Sequence, residues 1–168
     1  ASNKAFRIDT SNPTLSSSSP ADNATAIAVG SNIVLTFSEA VDVESGNILI
    51  KKSADDSTVE TIDVTSGQVT GTGTNQITIN PTSDLESETE YYVQIAAITF
   101  DDSSGNSYAG ISDTTSLSFT TADIVNPTLG SSSPADNATA VAVGSNIVLT
   151  FSEAVDVESG NILIKKSA

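Results

Sequence analysis

The chain has 168 residues, contains no Cys, Met, Trp or His, and sets 21 acidic against six basic residues for a formal charge of −15. That balance excludes nucleic acid and anionic membrane surfaces as partners, since both require clusters of Lys and Arg. It also excludes disulfide staples and any His- or Cys-based catalytic triad, and no apolar run approaches the roughly 18–20 residues needed to cross a bilayer.

In chain order, residues 1–11 read as the tail of a preceding segment. Residues 1–7 lack the basic start and apolar run of a signal peptide. Pro13 holds Asn12 extended, so the joint is short and stiff. Leu15 opens an edge strand, and Ser19-Pro20-Ala21-Asp22-Asn23 is built from turn-forming residues. Ile27 and Val29 mark a second short strand. Ile33, Leu35 and Phe37 then alternate with Val34 and Thr36, the clearest strand signal in the chain. Ile48 and Ile50 repeat the alternation, Val59, Ile62 and Val64 mark a less regular strand, and Val69 a short one. Gly71 to Asn75 turn into Ile77 and Ile79, and Pro81 ends that strand. Tyr91, Val93 and Ile95 form another inward set, which leaves Tyr92 and Tyr108 free for an outer face. Leu117 and Phe119 close the unit. About seven strands between turn signals, with no helical period, predict an all-β, Greek-key β-sandwich of the Ig-like kind.

From Asn126 the sequence begins again. Residues 126–168 repeat residues 12–54 at an offset of 114, with 41 of 43 positions identical; the exceptions are Ser16 against Gly130 and Ile27 against Val141. The linker recurs as well, Asp9-Thr10-Ser11-Asn12-Pro13 matching Asp123-Ile124-Val125-Asn126-Pro127 as D-x-x-N-P. The expected organisation is therefore a complete repeat at 12–125 with its linker at 122–126, followed by the first third of another at 126–168, an excerpt of a tandem array. That partial copy carries Ile147, Leu149, Phe151, Ile162 and Ile164 without the later strands that would cover them. Disorder, strand exchange with another chain, or displacement of residues 12–54 are its open outcomes. Displacement within one chain looks strained, because the linker of about four residues would have to span about 35–40 Å.

The runs P-A-D-N-A-T at Pro20 to Thr25, V-G-S-N-I-V-L-T-F-S-E-A-V at Val29 to Val41, E-Y-Y-V-Q-I at Glu90 to Ile95, F-D-D-S-S-G-N-S-Y-A-G at Phe100 to Gly110 and S-F-T-T at Ser118 to Thr121 resemble the bacterial Ig-like domain family. That family occurs as tandem extender repeats in giant surface adhesins, and the resemblance covers the full repeat and its partial copy. It implies a non-enzymatic structural module on the outside of a bacterial cell. The module would hold a distal binding domain away from the surface, with neighbouring repeats of the same chain as its main partners. In its acidic, Cys-free, Ser/Thr/Asp-rich composition the chain is similar to RTX-type adhesins, although the Gly-rich nonapeptide of RTX proteins is absent. The alternative is a module that binds carbohydrate or protein by avidity along the array. That reading calls for exposed aromatics, for which Tyr92 and Tyr108 are the candidates.

The chemistry offered is that of hard cations. Ca2+ takes oxygen ligands, of which this chain has a surplus, and no EF-hand loop is present, so a site must be assembled from separate loops. Sandwich topology puts three segments at one pole: the linker, the loop expected at Ser38 to Gly46, and the loop expected at Phe100 to Asp113. Asp9, Glu39 and Asp102, joined by Asp42 or Asp101, are expected to gather at the first junction. Asp123, Glu153 and Asp156 are expected at the second, with Asn12 and Asn126 adding oxygens. Asp22, Asp55, Asp56, Asp84 and Glu86 lie at the opposite pole. The extender resemblance also implies Ca2+ between domains. The competing reading is local: Asp102-Ser103-Ser104-Gly105-Asn106 fits an Asx-type turn in which Asp102 only satisfies backbone N–H groups.

Overall fold

The structure is a computed structural model that describes residues 8–166. Residues 1–7 of the expected tail, and Ser167 and Ala168 of the partial repeat, lie outside the described residues. Contacts divide the chain into a first unit ending at Ile124 and a second beginning at Val125.

The first unit is all β. Strands β1 (Leu15–Ser19), β3 (Ile33–Val43), β7 (Thr74–Ile79) and β6 (Val69–Thr70) lie side by side in one sheet, with β9 (Phe100–Asp101) pairing on β3. The other sheet runs β2 (Ala24–Ile27), β10 (Ser118–Thr121), β8 (Glu90–Ile95), β4 (Asn47–Lys52) and β5 (Thr58–Asp63). Neighbours are antiparallel except β2, which runs parallel to β10. Ten strands are described in the first unit, and the one that the sequence did not mark is β9, a two-residue pairing too short for a periodic signal.

Alternation builds the core. Ile33, Leu35, Phe37 and Val41 of β3, with Ile77 and Ile79 of β7, face Ile48 and Ile50 of β4 and Tyr91, Val93 and Ile95 of β8, and all are buried. Strand β3 runs through Val43, past the expected loop start at Ser38. It does so by bulging. Thr36 pairs with Gln76 and Val41 with Thr74, so β3 carries three more residues than β7 over that interval. The incoming chain is pinned at the same place, the Ser38 N–H donating to the Thr14 carbonyl at 2.9 Å and the Thr14 N–H to Ser38 Oγ at 3.1 Å.

The tyrosine assignment is corrected. Tyr92 and Tyr108 are both buried, like Tyr91. Tyr92 does point out of the core-facing phase, but Lys51 lies over its ring at 5.4 Å and its hydroxyl donates to Asp56 Oδ1 at 2.9 Å. Tyr108 packs edge-on against Phe37 with ring centroids 5.1 Å apart.

The second unit is a two-stranded antiparallel pairing of β11 (Leu129–Ser133) with β12 (Val148–Phe151). Its register, Leu129 opposite Phe151 and Ser133 opposite Val148, is that of Leu15 opposite Phe37 and Ser19 opposite Val34 in the first unit. The cis peptide before Pro20 recurs before Pro134, and the positive φ of Asn23 and Ala26 recurs at Asn137 and Ala140. The counterparts of β2 and β4 are not strands in the second unit. The reason lies in the partners. β1 pairs only with β3, inside the repeated segment, whereas β2 pairs with β10 and β4 with β5 and β8, all outside it.

Candidate metal centre

Glu39 occupies a core-facing phase of β3, two residues after Phe37 and two before Val41, where an apolar side chain would continue the pattern. The three-residue bulge lets it sit half-buried there without unzipping the strand. Bulges commonly re-aim a side chain in this way beside functional sites.

Asp102 comes from the turn after β9 and is 5% exposed. The turn is the expected Asx turn: Asp102 Oδ1 accepts the N–H groups of Ser104 and Asn106, each at 2.8 Å, and Oδ2 accepts Asn106 Nδ2 at 2.8 Å. The same Asn106 amide reaches the Asp9 carbonyl at 3.3 Å, tying the linker to the turn. Asn106 is the organising residue that sequence reasoning missed. Its Asx-turn role was visible, but its contact across 97 positions of chain was not.

Asp9, Glu39 and Asp102 each place a carboxylate oxygen so that the three lie within 4.8 Å of one another. Their environments pull in opposite directions. Desolvation, then the charges of Asp9 and Asp102, push the Glu39 carboxyl above its ordinary value. The side chain and N–H of Asn106, helped by Ser104, hold Asp102 below its own despite some desolvation. The group therefore keeps one firmly ionised carboxylate and strains a second. A hard dication fits such a donor set. Ca2+ takes about six to eight oxygens, so carboxylates from three segments supply the charged part of a shell that carbonyls and water complete.

The remaining predicted residues fall elsewhere. Asp42 lies opposite Asp101 in the β3–β9 register, and neither belongs to the three-carboxylate group. Asp42 has the outward phase of β3, opposite to that of Glu39, and Asp101 ends β9 just before Asp102, so successive side chains diverge. Thr72 Oγ1 donates to Asp42 at 3.3 Å, while Asp101 Oδ1 is buried with no hydrogen-bond partner among the described residues. Asn12 is exposed. Asp123 lies one residue before the end of the first unit, and Ser87 Oγ donates to its Oδ1 at 3.4 Å. Glu153 and Asp156 belong to the second unit, after β12. At the opposite pole Asp22 accepts from Ser118, Asp55 from Ser57, and Glu86 pairs with Lys52 at 2.7 Å. Those acids have structural work of their own.

A groove of about 570 Å3 crosses the second sheet, lined by Asn47, Leu49, Gln94, Ile95, Ala96, Ala97, Ala109, Ile111 and Ser112. None of these is aromatic or charged, so the groove offers neither the stacking surface nor the ion-pairing that a glycan platform needs. No helix among the described residues is long and apolar enough to cross a membrane.

The model of the bacterial Ig-like domain matches residues 9–121 and again 123–167. No curated protein sequence matches the chain. Among solved structures, CopC from Methylosinus trichosporium OB3b is similar at 17% identity with a TM-score of 0.48, covering 68% of this chain and 98% of that one. The S-layer protein rSbsC(31-844) is similar at 17% identity and a TM-score of 0.45, covering 72% of this chain and 16% of its own length.

Proposed function

The chain belongs to the bacterial Ig-like domain family, and from that premise we propose that it is an extender repeat of a secreted bacterial adhesin of the RTX type. It projects a distal ligand-binding domain from the cell surface, and Ca2+ stiffens its joints. Membership of a family of non-catalytic modules, typically of extracellular and surface proteins, supports a structural role outside the cytoplasm.

The observation that carries the reading is the meeting of Asp9 with Glu39 and Asp102 within 4.8 Å. Asp9 belongs to the segment that leads into the repeat, and the other two belong to its body. A cation held by all three fixes the angle at which the chain arrives and neutralises carboxylates that otherwise repel. The burial of Tyr92 and Tyr108 supports this reading over the carbohydrate- or protein-binding alternative, which called for exposed aromatics.

Calorimetric titration of the chain with CaCl2 tests the proposal. Binding is expected, and Glu39→Gln or Asp102→Asn should each weaken it at least tenfold. No heat and no change in melting temperature between Ca2+ and chelator would overturn the metal reading. A glycan array probed with the same chain separates the alternative, which predicts specific binding independent of Ca2+.

A further inference from the structure

The chain that leaves the first unit is still held after its last strand. β10 ends at Thr121, yet the Ala122 N–H donates to the Ile27 carbonyl at 2.7 Å, and the Ala122 carbonyl accepts the Glu88 N–H at 3.3 Å. Ser87 carries the hold further. Its hydroxyl accepts the Ile124 N–H at 3.0 Å and has the Ala122 carbonyl at 3.3 Å and Asp123 Oδ1 at 3.4 Å as acceptors for its own proton. The loop that carries Ser87 is anchored from the core. The Glu86 N–H donates to the hydroxyl of buried Tyr91 at 2.9 Å. The Thr89 N–H donates to Thr121 Oγ1 at 2.9 Å, and the Thr121 N–H to the Thr89 carbonyl at 3.1 Å. Glu88, between these anchors, has φ 48°, a left-handed conformation that residues with a Cβ seldom adopt and that persists only where its surroundings impose it.

A second serine holds the chain that enters. Ser38 and Thr14 exchange two hydrogen bonds, and the pair recurs in the second unit: the Thr128 N–H donates to Ser152 Oγ at 2.9 Å, and the Ser152 N–H to the Thr128 carbonyl at 2.8 Å. The exit hold reaches Ile124 and the entry hold begins at Thr128, so Val125, Asn126 and Pro127 are the residues between them. Pro127 fixes its own φ and keeps Asn126 extended. We propose that Ser87 on the exit side and Ser38, with its counterpart Ser152, on the entry side are the positioning residues of the joint, two serine clasps that confine bending between consecutive repeats to residues 125–127 with no cation bound. The proposal deepens the extender reading, on which the use of the joint rests. The serines set the length of the hinge, and its angle is left to Ca2+. Loss of the Ser87 clasp would extend the hinge back to residue 123, because Ala122 keeps its bonds to Ile27 and Glu88.

Heteronuclear NOE and amide-exchange measurements on the full chain in chelator test this. In the parent the N–H groups of Thr14, Asp123 and Ile124 should be as rigid as those of β10. Ser87→Ala should lower the NOE at Asp123 and Ile124 and speed exchange at Ile124 by about threefold or more, with Thr14 unchanged. Ser38→Ala should do the reverse, loosening Thr14 alone. Ser87→Thr keeps a hydroxyl at the same place and should hold the parent values at Asp123 and Ile124. Asp123 and Ile124 N–H groups as mobile in the parent as an unstructured tail would overturn the proposal, and so would a Ser87→Ala chain indistinguishable from the parent. If Ser87→Ala disturbs the core, the parent and Ser87→Thr values decide the matter. A calorimetric titration without heat would leave all of these outcomes standing, so the clasps and the metal reading fail separately.

Discussion

Glu39 is a carboxylate kept where the fold resists its charge. Its folded-state value lies above the ordinary 4.5, so the stability it contributes is present below pH 4.5 and is lost as pH rises through the folded value. At neutral pH without cation it is a liability. Glu39→Gln should therefore raise the melting temperature in chelator at pH 7 while shrinking the rise that Ca2+ produces, and thermal scans with and without Ca2+ read both effects. Asp113 shows the opposite sign. The N–H groups of Thr115 and Ser116 and the Ser116 hydroxyl pull its carboxyl down to about 2. Its contribution is present above the ordinary 3.8 and is lost as pH falls towards about 2. Asp113→Ala should lower the melting temperature at pH 7 and match the parent near pH 2. The sequence placed Glu39 in a loop at one pole, and only the bulged strand puts it in an apolar phase of β3. Asp101 was a candidate ligand by sequence, but its buried oxygen with no hydrogen-bond partner among the described residues was not legible, because that depends on what packs above it.

At the scale of elements, the bulge of β3 and the turn after β9 stand on one aromatic cluster. Phe37 packs on Phe100 at 5.4 Å and on Tyr108 at 5.1 Å between ring centroids. Phe37→Ala should cost about 3–5 kcal/mol by chemical denaturation, and it should weaken Ca2+ binding as well, since both arms of the site lose their footing. Gly110 fastens the far end of the same loop. It has φ +78°, and a Cβ there would collide with the Ile95 carbonyl and lie 2.8 Å from the Ala97 nitrogen. The strands themselves were legible wherever an alternating run faced one core, as at Ile33 to Phe37 or Tyr91 to Ile95. The extension of β3 to Val43 was not, because a bulge depends on what the partner strand omits. Nor was the cover over Tyr92, which is made by Lys51 across the β4–β8 pairing. The two copies make the same point internally. β11 and β12 pair as β1 and β3 do, yet the counterpart of β4 is no strand once β5 and β8 are missing from its neighbourhood.

At the scale of the whole molecule, a formal charge of −15 makes ionic conditions a structural variable. Ca2+ at a hundredfold excess over its dissociation constant should stabilise the fold by about 2.7 kcal/mol. Small-angle scattering from two complete repeats in tandem should show a greater maximum dimension with Ca2+ than with chelator. An unchanged dimension would count against a cation-stiffened joint. The repeat was plain in the sequence because 41 identities in 43 need no structure to interpret. The three-carboxylate group was legible as far as topology could bring segments to one pole, and whether Asp42 or Asp101 joined it awaited the direction of each side chain. The register shared by β1–β3 and β11–β12 bears on how such a protein is made. On the ribosome the opening third of a repeat emerges first, and about 70 residues must follow before its cover exists, roughly 4–14 s at usual synthesis rates. Through that interval a hairpin paired as β1 and β3 are would have its apolar side chains uncovered, and limited proteolysis of chains stalled at that length should cut where the finished unit resists.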